Sequence, residues 1–157
     1  MDKNQAFRIT GPRQIVLVSC LGPSRVTGEE IAEIVPVTSH MLVSLDPFIY
    51  AVAIDSSTEA DSIISETGVF AVSFVSEEHL SKVETLRIRL PGTDKRPSPE
   101  ISIVECDKIE CIRIEDAAAY LECEIAEAVR YGNRVVFFGR VVHREHLRHG
   151  KRLFHNT

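Results

Sequence analysis

The stretch FIYAVAI, residues 48–54, is apolar at every position and is followed at once by the polar residues DSST, 55–58. An apolar run of this length, rich in β-branched and aromatic residues, predicts a strand that is covered on both faces. The polar residues that follow it favour the start of a helix. Ser56 and Glu59 have the spacing of a capping box, and Asp61 would add a negative charge near the helix start. The predicted unit is therefore a central strand followed directly by a helix.

The chain after this unit predicts a second strand and a second helix. Gly68 is expected to end the first helix, because glycine commonly takes the left-handed conformation there. The inward face of that helix is predicted to carry Ala60, Ile63, Ile64 and Thr67. A strand is predicted over 69–74, and Ser76 before two glutamates predicts another helix start. The inward face of that second helix is predicted to carry Leu80, Val83 and Leu86.

Three further segments predict strands. Residues 15–20 form a short β-branched run, and residues 34–38 form a weaker one whose Pro36 cannot donate a ladder hydrogen bond. That second strand is therefore expected to be irregular or at a sheet edge. The residues YGN, 131–133, predict a hairpin turn that leads into a strong strand over 135–142.

The segment 117–129 fits two kinds of structure. Apolar residues at positions 121, 125 and 129 keep a helical spacing, and the local composition favours a helix. Apolar residues at 121, 123 and 125 also alternate with glutamates at 122 and 124, as they would in a half-exposed strand. These patterns alone leave both structures open.

Together these elements predict a mainly β fold. Many strands with two helices suggest an antiparallel barrel with short helical crossovers. The residues 91–99 predict a loop, since they contain three prolines and a glycine. No repeat or linker divides the sequence, so residues 1–157 are expected to form a single domain.

Composition excludes several classes of protein. The net charge of −5 argues against a dedicated nucleic-acid-binding domain. The start of the chain has no apolar run of the signal-peptide type, and no stretch approaches the length of a membrane span. None of the four cysteines is part of a C-x-x-C pair, so a reducing compartment, the cytoplasm, is expected, with free thiols at Cys20, Cys106, Cys111 and Cys123.

Motifs for self-sufficient catalysis are missing from the sequence. It has neither the glycine spacing of a dinucleotide fingerprint nor a phosphate-binding G-K-[ST] element. His143, His146 and His149 are three residues apart, but they follow a strand into a charged segment, and a solvated polar end is favoured over a metal site. We predict no metal and no catalytic side chain, so any chemistry is expected to come from a cofactor.

Two polar stretches are candidate ligand sites. Ser56, Ser57 and Thr58 combine three hydroxyls with the free amides of a helix start, which suits a phosphate group. Thr38, Ser39 and His40 place hydroxyls and an imidazole at the end of another strand. A plain helix cap and an ordinary turn are the alternative interpretations.

Several motifs together resemble the flavin reductase-like family. The segment 12–19 resembles its opening strand, and 37–40 resembles its threonine-serine-aromatic step. The segment 44–54 resembles its aspartate-proline signature before the central strand. The helix, threonine-glycine stop and strand over 57–74 and the late strands over 119–124 and 139–142 also match. The order and spacing of these motifs, from Pro12 to His143, carry the resemblance.

This resemblance implies a fold and a ligand. The fold would be an antiparallel Greek-key split β-barrel with short crossover helices, in which 117–129 is a strand. The cofactor would be FMN, with its phosphate near Ser56, Ser57 and Thr58. Thr38, Ser39 and His40 would line the flavin, and Ile54 and Asp55 would contribute backbone. The protein would be an oxidoreductase that passes electrons from NAD(P)H or another donor to an acceptor, and it would form a homodimer.

Two departures from the family pattern favour alternative functions. A proline-rich basic segment over 86–99 replaces the family's loop, which suggests a non-catalytic flavin-binding or electron-carrier module. A histidine at position 40 stands where an aromatic residue is common, which suggests a flavin-free interaction domain of the same fold.

Overall fold

A computed structural model describes residues 1–87 and 101–155 of the protein. In chain order the elements are α1 Lys3–Thr10, β1 Arg13–Gln14, β2 Val16–Pro23, β3 Glu30–Val37, β4 His40–Leu45, β5 Phe48–Asp55, α2 Glu59–Thr67, β6 Val69–Phe74, α3 Leu80–Arg87, β7 Ile103–Glu105, β8 Ile112–Ile114, β9 Ala119–Tyr131, β10 Arg134–His146 and β11 Phe154–His155. A short 3-10 helix, Glu77–His79, precedes α3. The predicted loop 91–99 and the side chain of Leu86 lie outside the described residues.

Seven strands form the main antiparallel sheet, in the order β3-β2-β6-β9-β10-β5-β4. Strands β7 and β8 pair with each other, and so do β1 and β11. Among the described strands, β3 and β4 remain the two edges of the main sheet, so the barrel is split. The predicted mainly β, antiparallel fold is confirmed. Pro36 lies in the edge strand β3, as expected for a residue that cannot donate to a ladder.

The main core lies between this sheet and α2. Val52 and Ile54 of β5 pack there with Phe70 of β6 and Phe137 of β10. The predicted inward face of α2 is buried at Ala60, Ile63 and Ile64 and partly buried at Thr67. Gly68 ends α2 in the left-handed conformation, with φ of 76°, and donates its N–H to the Ile64 carbonyl. The predicted inward face and end of α2 are thereby confirmed. In α3, Val83 is buried as predicted. The prediction that Leu80 faces inward is wrong, because Leu80 is 48% exposed at the junction between the 3-10 helix and α3.

The predicted capping box at the start of α2 is wrong. Thr58, rather than Ser56, is the residue before the helix, and its side chain makes no capping hydrogen bond. Glu59 cannot reach back to cap the helix because its side chain is buried and its carboxylate accepts a hydrogen bond from the Ser24 hydroxyl. Contact with the β2–β3 loop outweighs the local capping pattern.

The ambiguous segment 117–129 is a strand, β9. Burial in it does not alternate, since Tyr120, Leu121, Glu122 and Cys123 are all buried. The backbone amides of Asp107 and Lys108, in the loop between β7 and β8, donate to the Glu122 carboxylate. The expectation that Glu122 would be exposed is therefore wrong, because a second layer covers this face of the sheet.

No helix in the described parts of the chain, 1–87 and 101–155, combines the length and the apolar character needed to span a membrane.

Candidate functional site

The two predicted polar stretches lie side by side in the structure. Strand β4 runs antiparallel to β5, and His40 stands opposite Val52. The amide of Ala53 donates a 2.9 Å hydrogen bond to the Ser39 carbonyl, just before β4 begins. The start of β4, with Thr38 beside it, is thereby fixed next to the end of β5. Residues 54–58 continue from that same end, so all eight predicted site residues belong to one corner of the sheet.

The hydroxyls of residues 56–58 are held by hydrogen bonds within the corner. The Ser57 amide and hydroxyl both donate to Asp55 Oδ1, at 2.9 and 2.8 Å. Thr58 Oγ1 donates to the Asp55 carbonyl at 2.8 Å. The Ser56 amide and hydroxyl donate to the carbonyl of Asn133, in the β9–β10 turn. Ser57 is exposed, so its hydroxyl can turn from Asp55 towards a bound anion.

Ile54 differs from its neighbours because its side chain is buried in the main core. It can therefore offer only backbone atoms to a ligand. Asp55 is half-buried, and its carboxylate is committed to Ser57. Any side-chain contacts with a ligand at this end of β5 would therefore be made by Ser56, Ser57 and Thr58.

Two arginines that the sequence analysis missed surround this corner. Arg25 Nη2 donates a 2.8 Å hydrogen bond to the Ser57 carbonyl, and Arg134 Nη1 lies 3.5 Å from Asp55 Oδ2. The hydrogen bonds from Ser57 and the nearby Arg134 hold the pKa of Asp55 below its usual value, so its carboxylate is ionised at neutral pH. The two guanidinium groups outweigh that single negative charge, and the corner can attract an anion.

His40 is locked as a neutral side chain. Its Nε2 lies 2.8 Å from the Gln14 carbonyl, which can only accept a hydrogen bond, so Nε2 carries the proton. Its Nδ1 lies 2.7 Å from the Tyr50 hydroxyl and must accept from it. Burial, reinforced by nearby Cys123, raises the pKa of Tyr50 to about 12, which keeps that hydroxyl protonated. The imidazole is therefore fixed between two strands.

Burial is the main reason why the pKa of His40 is lower than its usual value. The hydrogen bond to Gln14 opposes this effect, and the positive charge of Arg13 adds to it. Arg13 also donates a 3.1 Å hydrogen bond to the Ser39 hydroxyl. Arg13 is therefore a third cation near the candidate site, next to the start of β4. The sequence pattern did not identify it.

The lowered pKa of His40 predicts a dependence of stability on pH. The unfolded chain takes up a proton at His40 before the folded chain does, so the contribution of neutral His40 is present above about pH 6.5 and lost as the pH falls. We expect the free energy of unfolding of the wild type to fall by up to about 1.4 kcal/mol per pH unit more than that of His40→Gln. Urea unfolding at about pH 7.5 and 5.5 measures this difference.

The matched control for this measurement is His146→Gln, which removes an exposed imidazole from the far end of β10. That variant should lose stability with pH in parallel with the wild type. If the free energies of unfolding of His40→Gln and the wild type change in parallel with pH, His40 titrates alike in the folded and unfolded chains.

The three histidines singled out in the sequence do not form one cluster. His143 Nε2 lies 3.2 Å from Asp107 Oδ2, while the rings of His146 and His149 contact each other edge-on at 4.7 Å between centroids. The donor atoms of Asp107, Glu122 and His143 lie within 4.8 Å of one another. This spacing would fit a metal ion, but acidic groups commonly have it without one, so we assign no metal here.

An open cleft of about 490 Å³ lies elsewhere on the sheet. None of the eight predicted site residues lines it. Its walls come mainly from the end of β2 and the loop between β7 and β8, and they include Gly22, Lys108 and Ile109. Thr67 at the end of α2 and Glu124 of β9 also line it. Among the described residues that line it, Thr67 is the only one with a hydroxyl, so the corner of β4 and β5 remains the better candidate for an anionic ligand.

The chain is similar to proteins of known sequence and to proteins of known structure. An uncharacterized protein from Pyrococcus abyssi is 31% identical over 105 residues, which span 64% of this chain and 58% of that protein. The NADH:FAD oxidoreductase SgcE6 of Streptomyces globisporus C-1027 has a similar structure, with a TM-score of 0.78 and 21% identity over 98% of this chain and 87% of that chain. The FMN-binding protein of Thermus thermophilus gives a TM-score of 0.76 and 20% identity over 88% and 74% of the two chains.

These two structural similarities establish a shared fold. The family itself follows from a different comparison, because the family model described as a flavin reductase like domain matches residues 10–157. The match includes every strand of the main sheet and all eight predicted site residues. The chain therefore belongs to the flavin reductase like domain family.

Proposed function

We propose that this protein is a flavin-dependent oxidoreductase that binds FMN at the corner of β4 and β5. The phosphate would lie at Ser56, Ser57 and Thr58, and the ring system would lie against residues 38–40. The observation that carries this proposal is the hydrogen bond from the Ala53 amide to the Ser39 carbonyl, which brings the two polar stretches together. Family membership supports a flavin as the ligand.

The residues present fit an anionic cofactor. Ser57 and Thr58 offer hydroxyls next to the start of α2, where backbone amides favour negative charge. Arg25 and Arg134 supply the positive charge that balances Asp55 and a phosphate. Thr38 and Ser39 are partly exposed, so their polar atoms can reach a ligand.

The role of the protein would be to bind and orient the flavin. When bound, the flavin would supply the reversible uptake and release of electrons, and the chain needs no nucleophile of its own. The neutral imidazole of His40, held by Gln14 and Tyr50, would present an uncharged surface to the ring system. Residues 38–40 would exclude water from one side, while the guanidinium groups hold the phosphate end.

FMN and a nicotinamide donor are the finer parts of the proposal. The three adjacent hydroxyls of residues 56–58 would suit one phosphate group, which favours FMN, although the Streptomyces protein of similar fold is an NADH:FAD oxidoreductase. That protein also supports a nicotinamide as the electron donor. A non-catalytic FMN carrier is the second candidate function, favoured by the proline-rich segment 86–99.

A homodimer is also part of the proposal. Strand β4 is an edge of the main sheet and exposes the apolar side chains of Met41, Leu42, Val43 and Leu45. An edge strand with such a surface is suited to contact with a second copy of the chain. The four free cysteines support a cytoplasmic location.

An absorption spectrum tests the proposal directly. The purified protein is mixed with excess FMN, dialysed and scanned in the visible range, and NADH is then added without oxygen. We expect the flavin spectrum to be retained and then bleached by NADH. A retained spectrum that NADH leaves unchanged would favour the carrier function. The experiment is repeated with FAD. A protein that is colourless after dialysis with either flavin would overturn the flavin site and favour an interaction domain.

A further inference from the structure

The strand pair β7–β8 places two cysteines directly opposite each other. Glu105 pairs with Ile112 in this register, so Cys106 and Cys111 are the next facing positions. The Cys106 amide donates a 2.9 Å hydrogen bond to the Cys111 carbonyl. Residues 107–110 form the loop between them. Facing residues in an antiparallel pair have Cα atoms about 4.5–5.5 Å apart, which is within the range that a disulfide spans.

We propose that Cys106 and Cys111 form a dithiol site that reacts with low-molecular-weight disulfides and closes to an intramolecular disulfide. The Cys111 thiol lies 3.4 Å from the carbonyls of Ser19 and Ile112, to which it can donate. Cys106 is partly exposed and Cys111 is buried, so Cys106 is the thiol that an external disulfide can reach, and Cys111 is the thiol that completes the exchange.

The other two cysteines differ from this pair. Cys20 is fully buried in the main core, where its thiol donates to the Glu33 carbonyl at 3.8 Å. Cys123 is also fully buried, on β9. Neither can be reached by a small disulfide without unfolding of the sheet. The site is therefore specific to the two facing positions of the β7–β8 pair.

The exchange is balanced in atoms and electrons. The Cys106 thiolate attacks one sulfur of the external disulfide, which forms a mixed disulfide and releases one thiol. The Cys111 thiol then loses its proton and attacks the Cys106 sulfur, which releases the second thiol. The protein loses two electrons and two protons, and the external disulfide becomes two thiols, or one dithiol if it is cyclic.

The bridge would close a loop that contacts two other parts of the protein. The amides of Asp107 and Lys108, inside this loop, donate to the buried Glu122 carboxylate at 2.9 and 2.6 Å. Lys108, Ile109 and Glu110 line the open cleft beside β2. A disulfide would hold these residues in the positions that the structure shows, so the redox state of the pair would control the order of one wall of the cleft.

Thiol counting at redox equilibrium tests this inference. The neighbouring Cys111 and burial raise the pKa of Cys106, so the reaction is run under mildly alkaline conditions, at about pH 8.5. The full chain is equilibrated anaerobically with mixtures of oxidised and reduced dithiothreitol, quenched with acid, alkylated and weighed by mass spectrometry. We expect the number of alkylated thiols to fall from four to two, in one step.

The position of the bridge separates the possible outcomes. Peptide mapping of the oxidised wild type should join Cys106 to Cys111. Cys106→Ser and Cys111→Ser should each keep all their remaining thiols, while Cys20→Ser, the control, should still lose two. Four alkylated thiols under the most oxidising mixture, or a bridge that includes Cys123, would overturn the inference. Mapping uses the wild type, so the result does not depend on how the variants fold.

Discussion

The double variant Ser57→Ala, Thr58→Ala is expected to bind FMN with a Kd roughly 100-fold higher than that of the wild type. Each hydroxyl would donate to a phosphate oxygen, and a hydrogen bond to a charged group is worth about 1.5–3 kcal/mol. A loss of about 1.4 kcal/mol corresponds to a factor of ten in affinity. The two losses together therefore give the expected change, with each single variant near a factor of ten.

The structure explains why these hydroxyls, and not the fold, should carry the effect. Ser57 Oγ and Thr58 Oγ1 bond only to atoms of Asp55 in the described structure, at 2.8 Å each. Their loss leaves the ladder between β5 and β10 untouched, because Asp55 pairs with Arg134 through its backbone. The variant should unfold within a few degrees of the wild type, so weakened binding can be separated from misfolding.

Quenching of FMN fluorescence by added protein measures the Kd. The matched control is Ser102→Ala, which also removes a hydroxyl that donates to a carboxylate, that of Glu115, at 2.9 Å. Ser102 adjoins β7, which belongs to a separate two-stranded sheet with β8 and not to the sheet that contains β4 and β5, so its loss should leave FMN affinity unchanged. If the double variant binds FMN as tightly as the Ser102→Ala control, the phosphate lies elsewhere.

The sequence predicted strands β2, β3, β5, β6 and β10 and the inward face of α2, because these depend on local pattern, but it did not predict β4, β7 or β8. The apolar run 48–54 and the spacing of three to four residues between the inward positions of α2 are visible in a single segment. Gly68 marked the end of α2 for a similarly local reason, since it takes a left-handed conformation that other residues avoid. The same local reasoning failed at Glu59, whose partner Ser24 is 35 positions away.

The charges around the candidate site could not be predicted for the same reason. Arg134 faces Asp55 only because β10 pairs with β5 in a particular register, and Arg25 reaches Ser57 from the loop after β2. Glu122 lay in an apparently exposed position of β9, yet the β7–β8 loop covers it and donates two amides to its carboxylate. Periodicity describes one face of a strand, and it does not show which other segment covers that face.

Gly139→Ala is expected to destabilise the protein strongly. A Cβ atom at this position of β10 would lie 2.6 Å from Phe70 Cζ and 2.8 Å from Cys123 Cβ. Phe70 and Cys123 are fully buried, and the Cys123 Cβ is attached directly to the backbone of β9. Overpacking of a core typically costs about 1–3 kcal/mol, and a clash with a backbone-linked atom belongs at the upper end of that range.

Thermal unfolding measures this cost. For a domain of this size a loss of 1 kcal/mol lowers Tm by about 2–4 °C, so we expect a decrease of about 6–12 °C. The variant Phe70→Leu lacks Cζ, so the methyl of Gly139→Ala should cost less in that background than in the wild type. The relief should be incomplete because Cys123 Cβ remains in place, and a double-mutant cycle measures the coupling between the two positions.

The outcome of this cycle also bears on the geometry of the sheet. Gly139 lies at a register shift between β10 and β9, where Phe138 faces Glu127 and Gly139 faces Ile125. A bulge of this kind bends a strand, and the missing side chain allows Phe70 to pack across the bend next to Phe137, at 6.3 Å between ring centroids. A Tm for Gly139→Ala within about 2 °C of the wild type would mean that the bend does not need the close approach of Phe70. A large decrease, relieved in part by Phe70→Leu, would show that the close approach of Phe70 to this bend requires glycine at position 139.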